Sequence, residues 1–307
     1  MQSKKYWNLL EILNTTTQYF VEKNIDNPRL NAEELLGKAL GLSRVELYVS
    51  FERPLTDKEV STFREMVKRR IQHEPLQHII GQTEFMGYPI KVNSNVLIPR
   101  PETEILVEEI IKLQNENDLK NPTILDIGTG SGCIAISLAQ EWSGSQLLAV
   151  DNSSAALDMA QQNCLLNKIS VKMVKSNQAQ PLDLSIQITL LEHDILKPWP
   201  QLLKRHFDII VSNPPYVTND EMKTLQPEVK NYEPHAALTD FSDGLKFYRR
   251  IFDMITEKRE IECHYLFLEM SGSQPEKIIA LTRKYMFRKI NIIPDLSKIN
   301  RVLKIEV

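Results

Sequence analysis

The sequence predicts an α/β protein in which a doubly wound domain with a mostly parallel sheet follows a small helical bundle. From about Glu102 onward, short apolar runs of strand length alternate with amphipathic runs of helix length. A glycine-rich turn, "LDIGTGSGCIA", separates the first of those strands from the helix after it. Residues 1–74 show helical periodicity instead. Strands joined through helices imply a parallel sheet covered on both faces.

In the bundle, Trp7, Leu10, Leu13 and Phe20 recur at helical spacing, and "NPRLNAEELLGKALGL" starts after a proline and stops at Gly41. "TDKEVSTFREMVKRRIQHE" opens with Thr56 as a cap and a glutamate three residues on. Its "KRR" run, Lys68 to Arg70, reads as a solvated helix face. Residues 75–101 change texture: prolines, glycines and short β-branched or aromatic runs make a hairpin linker, with "EFMGYPIKV" as strand, turn and strand. Residues 102–307 form the α/β domain, its strands read in "TILDIG", "QLLAVD", "QITLLEHDI", "FDIIVSN", "HYLFLEM" and "RVLKIEV". The polar stretch "VKSNQAQPLDLS" reads as a surface loop insertion.

A hydrophobic content of 42% and a charged content of 25% are those of an ordinary globular protein. The formal net charge of -3 supplies no global field for nucleic acid. Cys133, Cys164 and Cys263 make no Cys-x-x-Cys pair, and the six histidines are scattered without a His-x-x-x-His. That pattern argues against disulfides and metal, and for a reducing compartment. No apolar run reaches membrane-spanning length, so we expect a cytoplasmic protein with no membrane partner.

Gly128, Gly130 and Gly132 stand between a strand and a helix, where glycine lets a ligand approach the backbone. Asp151 ends the next strand about 20 residues on, the spacing at which a carboxylate accepts the hydroxyls of a ribose. The spacing is G-x-G-x-G, not the dinucleotide G-x-G-x-x-G, and the loop has no basic residue to meet a pyrophosphate. Asp126 precedes it, and an acidic loop suits a cationic ligand such as S-adenosylmethionine. Asp194, at the end of the third strand, reads either as an acceptor for an adenine amine, with Ile195 against the ring, or as a helix cap.

"VSNPPYV" ends the fourth strand, the edge at which open α/β sheets bind ligands. Asn213 offers a side-chain carbonyl; Pro214 and Pro215 offer rigidly held backbone carbonyls; Tyr216 offers a flat face. Together they cradle a planar group bearing an NH₂, hold both of its hydrogens and aim the nitrogen lone pair at an electrophile. Methyl transfer from a sulfonium would then need positioning and electrostatic stabilisation, not a strong base. The cradle serves a glutamine amide or an adenine amine equally.

These motifs resemble the class I S-adenosylmethionine-dependent methyltransferases with an Asn-Pro-Pro-Tyr motif. "LIPRPETEILVE" and "NYEPHAALTDFSDGLKFYRRI" look like the release factor glutamine methyltransferases, the HemK or PrmC family. The resemblance implies a Rossmann-like domain with a seven-stranded sheet. It implies that Gly128, Thr129, Gly130, Ser131, Gly132, Asp151, Asp194, Ile195 and Asn213 contact S-adenosylmethionine. It further implies that Asn213, Pro214, Pro215 and Tyr216 hold the glutamine of a release factor's Gly-Gly-Gln loop, with residues 1–74 docking that factor. Adenine-N6 methylation of nucleic acid and glutamine methylation of a ribosomal protein are the alternatives. Arg100 and Glu102 read as near the site mouth or as a hinge salt bridge, and Glu233 as a buttress of the NPPY loop.

Overall fold

The computed structural model describes residues 7–116, 119–175, 185–201, 203, 206–287 and 289–307. Most of the stretch read as a loop insertion, residues 176–184, lies outside them. The chain divides into two compact units, residues 1–82 with 226–232 and residues 83–225 with 233–307.

The first unit is helical: α1 (Leu9–Glu22), α2 (Pro28–Leu40), α3 (Arg44–Val49), α4 (Asp57–Arg70) and α5 (Leu76–Ile80). Asn8 with Glu11, Ser43 with Glu46 and Thr56 with Glu59 close reciprocal capping boxes that satisfy the first amides of α1, α3 and α4. Leu9, Leu13, Phe20, Leu35, Leu36 and Phe63 are packed at its centre. Helix α3 was not foreseen: six residues are too few to show periodicity. The "KRR" run is only partly a solvated face. Arg70 is buried, donating to Asn31 Oδ1 at 2.7 Å and pairing with Glu228 at 3.2 Å.

In the second unit, β1 (Gln82–Phe85) and β2 (Tyr88–Lys91) form the expected hairpin, with Met86 and Gly87 both at positive φ in the turn. Then follow α6 (Pro101–Glu116), β3 (Thr123–Ile127), α7 (Cys133–Glu141), β4 (Gln146–Asp151), α8 (Ser154–Leu166), β5 (Val171–Lys175), β6 (Ile188–Glu192) and β7 (His206–Ser212). Short helix α9 (Glu221–Thr224) precedes α10 (Pro227–Tyr232), which belongs to the first unit, and α11 (His235–Leu238) leads on in the second unit to α12 (Lys246–Ile255), β8 (Glu262–Glu269), α13 (Pro275–Thr282), β9 (Lys289–Pro294) and β10 (Asn300–Glu306).

The main sheet runs β5-β6-β4-β3-β7-β8-β10-β9, with β10 antiparallel to both neighbours and the other ladders parallel. Among the described residues it has eight strands where seven were expected. β5 and β9, the two that went unread, are its edge strands, and their exposed lysines and partial burial blur the apolar signal. One face packs Leu106, Ile110, Ile134, Leu138, Leu157 and the hairpin's Phe85 and Ile90; the other packs Tyr248, Phe252, Ile255 and Ile278. From β3 the chain first adds strands on one side, then returns to add β7 on the other. That reversal makes the carboxyl ends of β3, β4 and β7 the place where a ligand crevice opens.

Candidate active site

A cavity of about 190 Å³ lies over that switch point. The turn after β3 contributes Gly128 and Gly130, and the segment after β4 contributes Asp151, Asn152 and Ser153. His193, Asp194 and Ile195 follow β6, and Asn213, Pro214 and Pro215 follow β7.

The glycine turn is shaped by three residues at positive φ: Gly128 at 74°, Gly130 at 55° and Gly132 at 81°. A side-chain carbon at Gly128 would meet nothing within 4 Å, so the backbone there is open to a ligand. Gly132 serves packing, because its added carbon would stand 3.1 Å from Ala160 Cβ. Thr129 and Ser131 are buried and are not among the residues lining the cavity. Thr129 Oγ1 donates to Asp126 Oδ2 at 2.6 Å, and Ser131 O accepts from Asn163 Nδ2 at 2.8 Å. Asn163 also exchanges hydrogen bonds with Lys91, tying the hairpin to the turn.

Asp126 does not present its charge to the ligand space, contrary to the acidic-loop reading. It is fully buried behind the turn, and burial pushes its carboxyl up to about 7 against the Thr129 hydrogen bond. The acids on the cavity wall are Asp151 and Asp194. Asp151 accepts from Gly130 N and Ser153 N, both at 2.9 Å, one on each oxygen. Burial raises its pKa, with those amides opposing. Asp194 caps a local turn through Oδ1, which accepts from Leu196 N at 2.9 Å, while Oδ2 has no hydrogen-bond partner among the described residues. Asp194 therefore caps a turn and not the helix read from the sequence, since no helix directly follows it among the described residues, and one oxygen is left for a ligand.

Asn213 Nδ2 donates to Thr103 Oγ1 at 3.2 Å, which fixes the amide so that Oδ1 remains an open acceptor. Among the described residues, the carbonyls of Pro214 and Pro215 take no hydrogen bond either. Tyr216 is not among the lining residues. Its hydroxyl donates to Glu269 Oε1 at 3.3 Å, and its backbone carbonyl accepts from Gln274 Nε2 at 2.9 Å. Burial and the neighbouring Glu269 push the phenol up. Glu269 closes β8 beneath the motif, fully buried; desolvation lifts it to about 7 although the Thr103 and Tyr216 hydroxyls oppose the shift.

The flanking stretches earn their place by wrapping this loop. Val217 N donates to Leu238 O at 2.9 Å, and Asp240 gathers the amides of Ser242, Gly244 and Lys246. Glu233 is buried and accepts from Ile98 N at 3.1 Å and from Arg100. Glu102 stands 3.9 Å from Arg301. Both pairs lie inside the second unit, so Arg100 and Glu102 form these contacts and not the expected hinge salt bridge. Thr103, Glu269 and His193 escaped the sequence reading as site residues. A lone glutamate ending the apolar run "LFLE" was the available signal for Glu269; Thr103 gave none beyond the resemblance.

A sheet with one reversed strand beside its edge, and a ligand cavity over its switch point, defines a class I methyltransferase, a class that uses S-adenosylmethionine. The catalytic domain of human METTL16, solved in complex with an RNA hairpin from the MAT2A 3'UTR, shares the fold at a TM-score of 0.51 and 17% identity, covering 83% of this chain and 84% of that one. Residues 11–81 match the family described as PrmC N-terminal domain, and residues 101–191 the methyltransferase small domain. The release factor glutamine methyltransferase of Chlorobaculum tepidum is 37% identical over 99% of this chain and 98% of its own length; that of Geobacter sulfurreducens is 37% identical over 98% of each. The chain belongs to the release factor glutamine methyltransferase family.

Proposed function

We propose that this chain transfers a methyl group from S-adenosylmethionine to the side-chain amide nitrogen, N5, of the glutamine in the Gly-Gly-Gln loop of a peptide chain release factor. The observation that carries this is the Asn213–Pro214–Pro215 cradle, its acceptors unpaired among the described residues, on the same cavity wall as Asp151. The family membership favours glutamine over adenine.

The cavity suits the methyl donor. Two acids line it, no lysine or arginine does so among the described residues, and burial lowers the pKa of His193. That electrostatic setting favours a ligand bearing a sulfonium and an ammonium over one bearing phosphates. Asp151 would take the ribose hydroxyls, Gly128 and Gly130 the methionine end, and Asp194 Oδ2 with Ile195 the adenine. Thr129, Ser131 and Gly132 would act by shaping the turn.

S-adenosylmethionine supplies an electrophilic methyl whose departure leaves a neutral sulfide. Asn213 Oδ1 and the Pro214 carbonyl accept the two amide hydrogens, which favours a pyramidal nitrogen and stabilises the positive charge that grows on it. The held proton becomes acidic only as the N–C bond forms, so it passes to water without a strong base. Tyr216 supports the loop from behind through Glu269. Helix α3 of the first unit exposes Val45, Tyr48 and Val49, an apolar face that supports the reading of this unit as the release-factor dock.

The test is incubation with labelled S-adenosylmethionine and, separately, a release factor, ribosomal proteins and DNA. Label on the release factor is expected; label on DNA or ribosomal protein alone overturns the proposal.

A further inference from the structure

Histidines that are far apart in sequence meet at the opposite end of the sheet from the cavity. His206 opens β7, with Asp208 two residues on, and His264 is the third residue of β8. The parallel ladder pairs His206 with Glu262 and Phe207 with Cys263, then resumes at Ile209 with Tyr265. Asp208 and His264 therefore share the skipped position, with Asp208 Oδ1 3.6 Å from His264 Nδ1. The two imidazoles meet edge to face at 4.9 Å between centroids, and His206 Nδ1 stands 3.8 Å from Glu262 Oε2. One ligand atom each from His206, Asp208 and His264 lies within 4.8 Å of the others.

Asp208 is already oriented for such a role. Its Oδ2 accepts from Thr123 N at 2.7 Å and from Thr123 Oγ1 at 2.9 Å, which leaves Oδ1 facing His264. Outer partners that hold a carboxylate in this way are what metal-ligating acids have. The imidazoles are half-exposed, so each can turn to close the ligand set onto a cation.

We propose that His206, Asp208 and His264, with Glu262 as a fourth ligand, bind one divalent transition cation of the zinc class. Two imidazoles with carboxylate oxygen match zinc, cobalt or nickel, whereas magnesium and calcium take oxygen sets. The site ties together the amino-terminal ends of β7 and β8, the strands whose other ends lead into Asn213 and carry Glu269. Its occupancy stabilises the folded chain by an amount that grows with the logarithm of the free metal concentration over the dissociation constant. Sequence spacing hides the site because no two of its histidines share a helix; strand pairing alone assembles it.

The test uses the full chain, freed of metal with a chelator and dialysed, then titrated with Co²⁺ by visible absorption and with Zn²⁺ by thermal unfolding. One equivalent of Co²⁺ should give a tetrahedral d–d spectrum, and Zn²⁺ should raise the unfolding midpoint. His264→Ala and His206→Ala should abolish both effects, Asp208→Asn should weaken binding, and Thr123→Val should weaken it by about tenfold or more. Methyl transfer by the variants at the parent level shows that they are folded. No spectrum and no thermal shift, equal binding by both histidine variants, or a sulfur-to-cobalt charge-transfer band would overturn the site.

Discussion

Asn213 and Thr103 are joined by a hydrogen bond of 3.2 Å, from the asparagine amide to the threonine hydroxyl, and that hydroxyl lies against Glu269. The side chain proposed to hold the substrate is thus itself held, by a residue on the first turn of α6, more than a hundred positions earlier in the chain.

Thr103→Val keeps the side-chain shape and removes the acceptor. An Asn213 amide left unpaired costs about 1–3 kcal/mol and no longer fixes Oδ1. Turnover should fall by roughly tenfold or more, while donor affinity measured by calorimetry stays near the parent value. Asn213→Ala, in the same assay, should abolish transfer and still bind the donor.

Asp151→Asn tests the ribose assignment. It removes a charge-assisted acceptor that also holds Gly130 N and Ser153 N. Donor affinity should fall about tenfold or more, and turnover at saturating donor should fall much less. A variant with unchanged affinity would remove Asp151 from the donor site.

Glu269 gives the fold a pH dependence of readable sign. Its folded value, about 7, lies above its ordinary 4.5, so the folded state binds its proton more tightly than the unfolded chain does. The resulting stability is fully present below about pH 4 and is lost as pH rises through about 7. The loss is on the order of 3 kcal/mol, and Asp126 adds a contribution of the same sign. The unfolding midpoint should fall between pH 5 and pH 8, and Glu269→Gln should flatten that fall.

Gly244→Ala should disturb the NPPY loop from a distance. Gly244 has φ of 77°, and an added carbon would lie 2.3 Å from Tyr216 O. Strain of about 1–3 kcal/mol is expected, read as a lower unfolding midpoint together with reduced turnover.

Much of this was legible because parallel strands buried on both faces write continuous apolar runs, as "TILDI" and "DIIVS" do. The glycine turn and NPPY were legible because only certain residue types tolerate those backbones. Edge strands β5 and β9 were not, since their half-exposed faces mix lysine with valine and isoleucine. Asp126 misled because a carboxylate beside a glycine loop looks the same in sequence whether it faces the ligand or the core. Thr103 and Glu269 meet only through tertiary packing, as do His206 and His264, and no local pattern announces such a meeting.

The central claim is that the NPPY cradle presents a release factor glutamine to the methyl donor. Fragmentation mass spectrometry of a release factor after one round of transfer tests it most directly. The account predicts one added methyl on the side-chain nitrogen of the Gly-Gly-Gln glutamine, absent when Asn213→Ala replaces the parent chain. A methyl on any other residue, or an unmodified release factor alongside methylated adenine in nucleic acid, would contradict it.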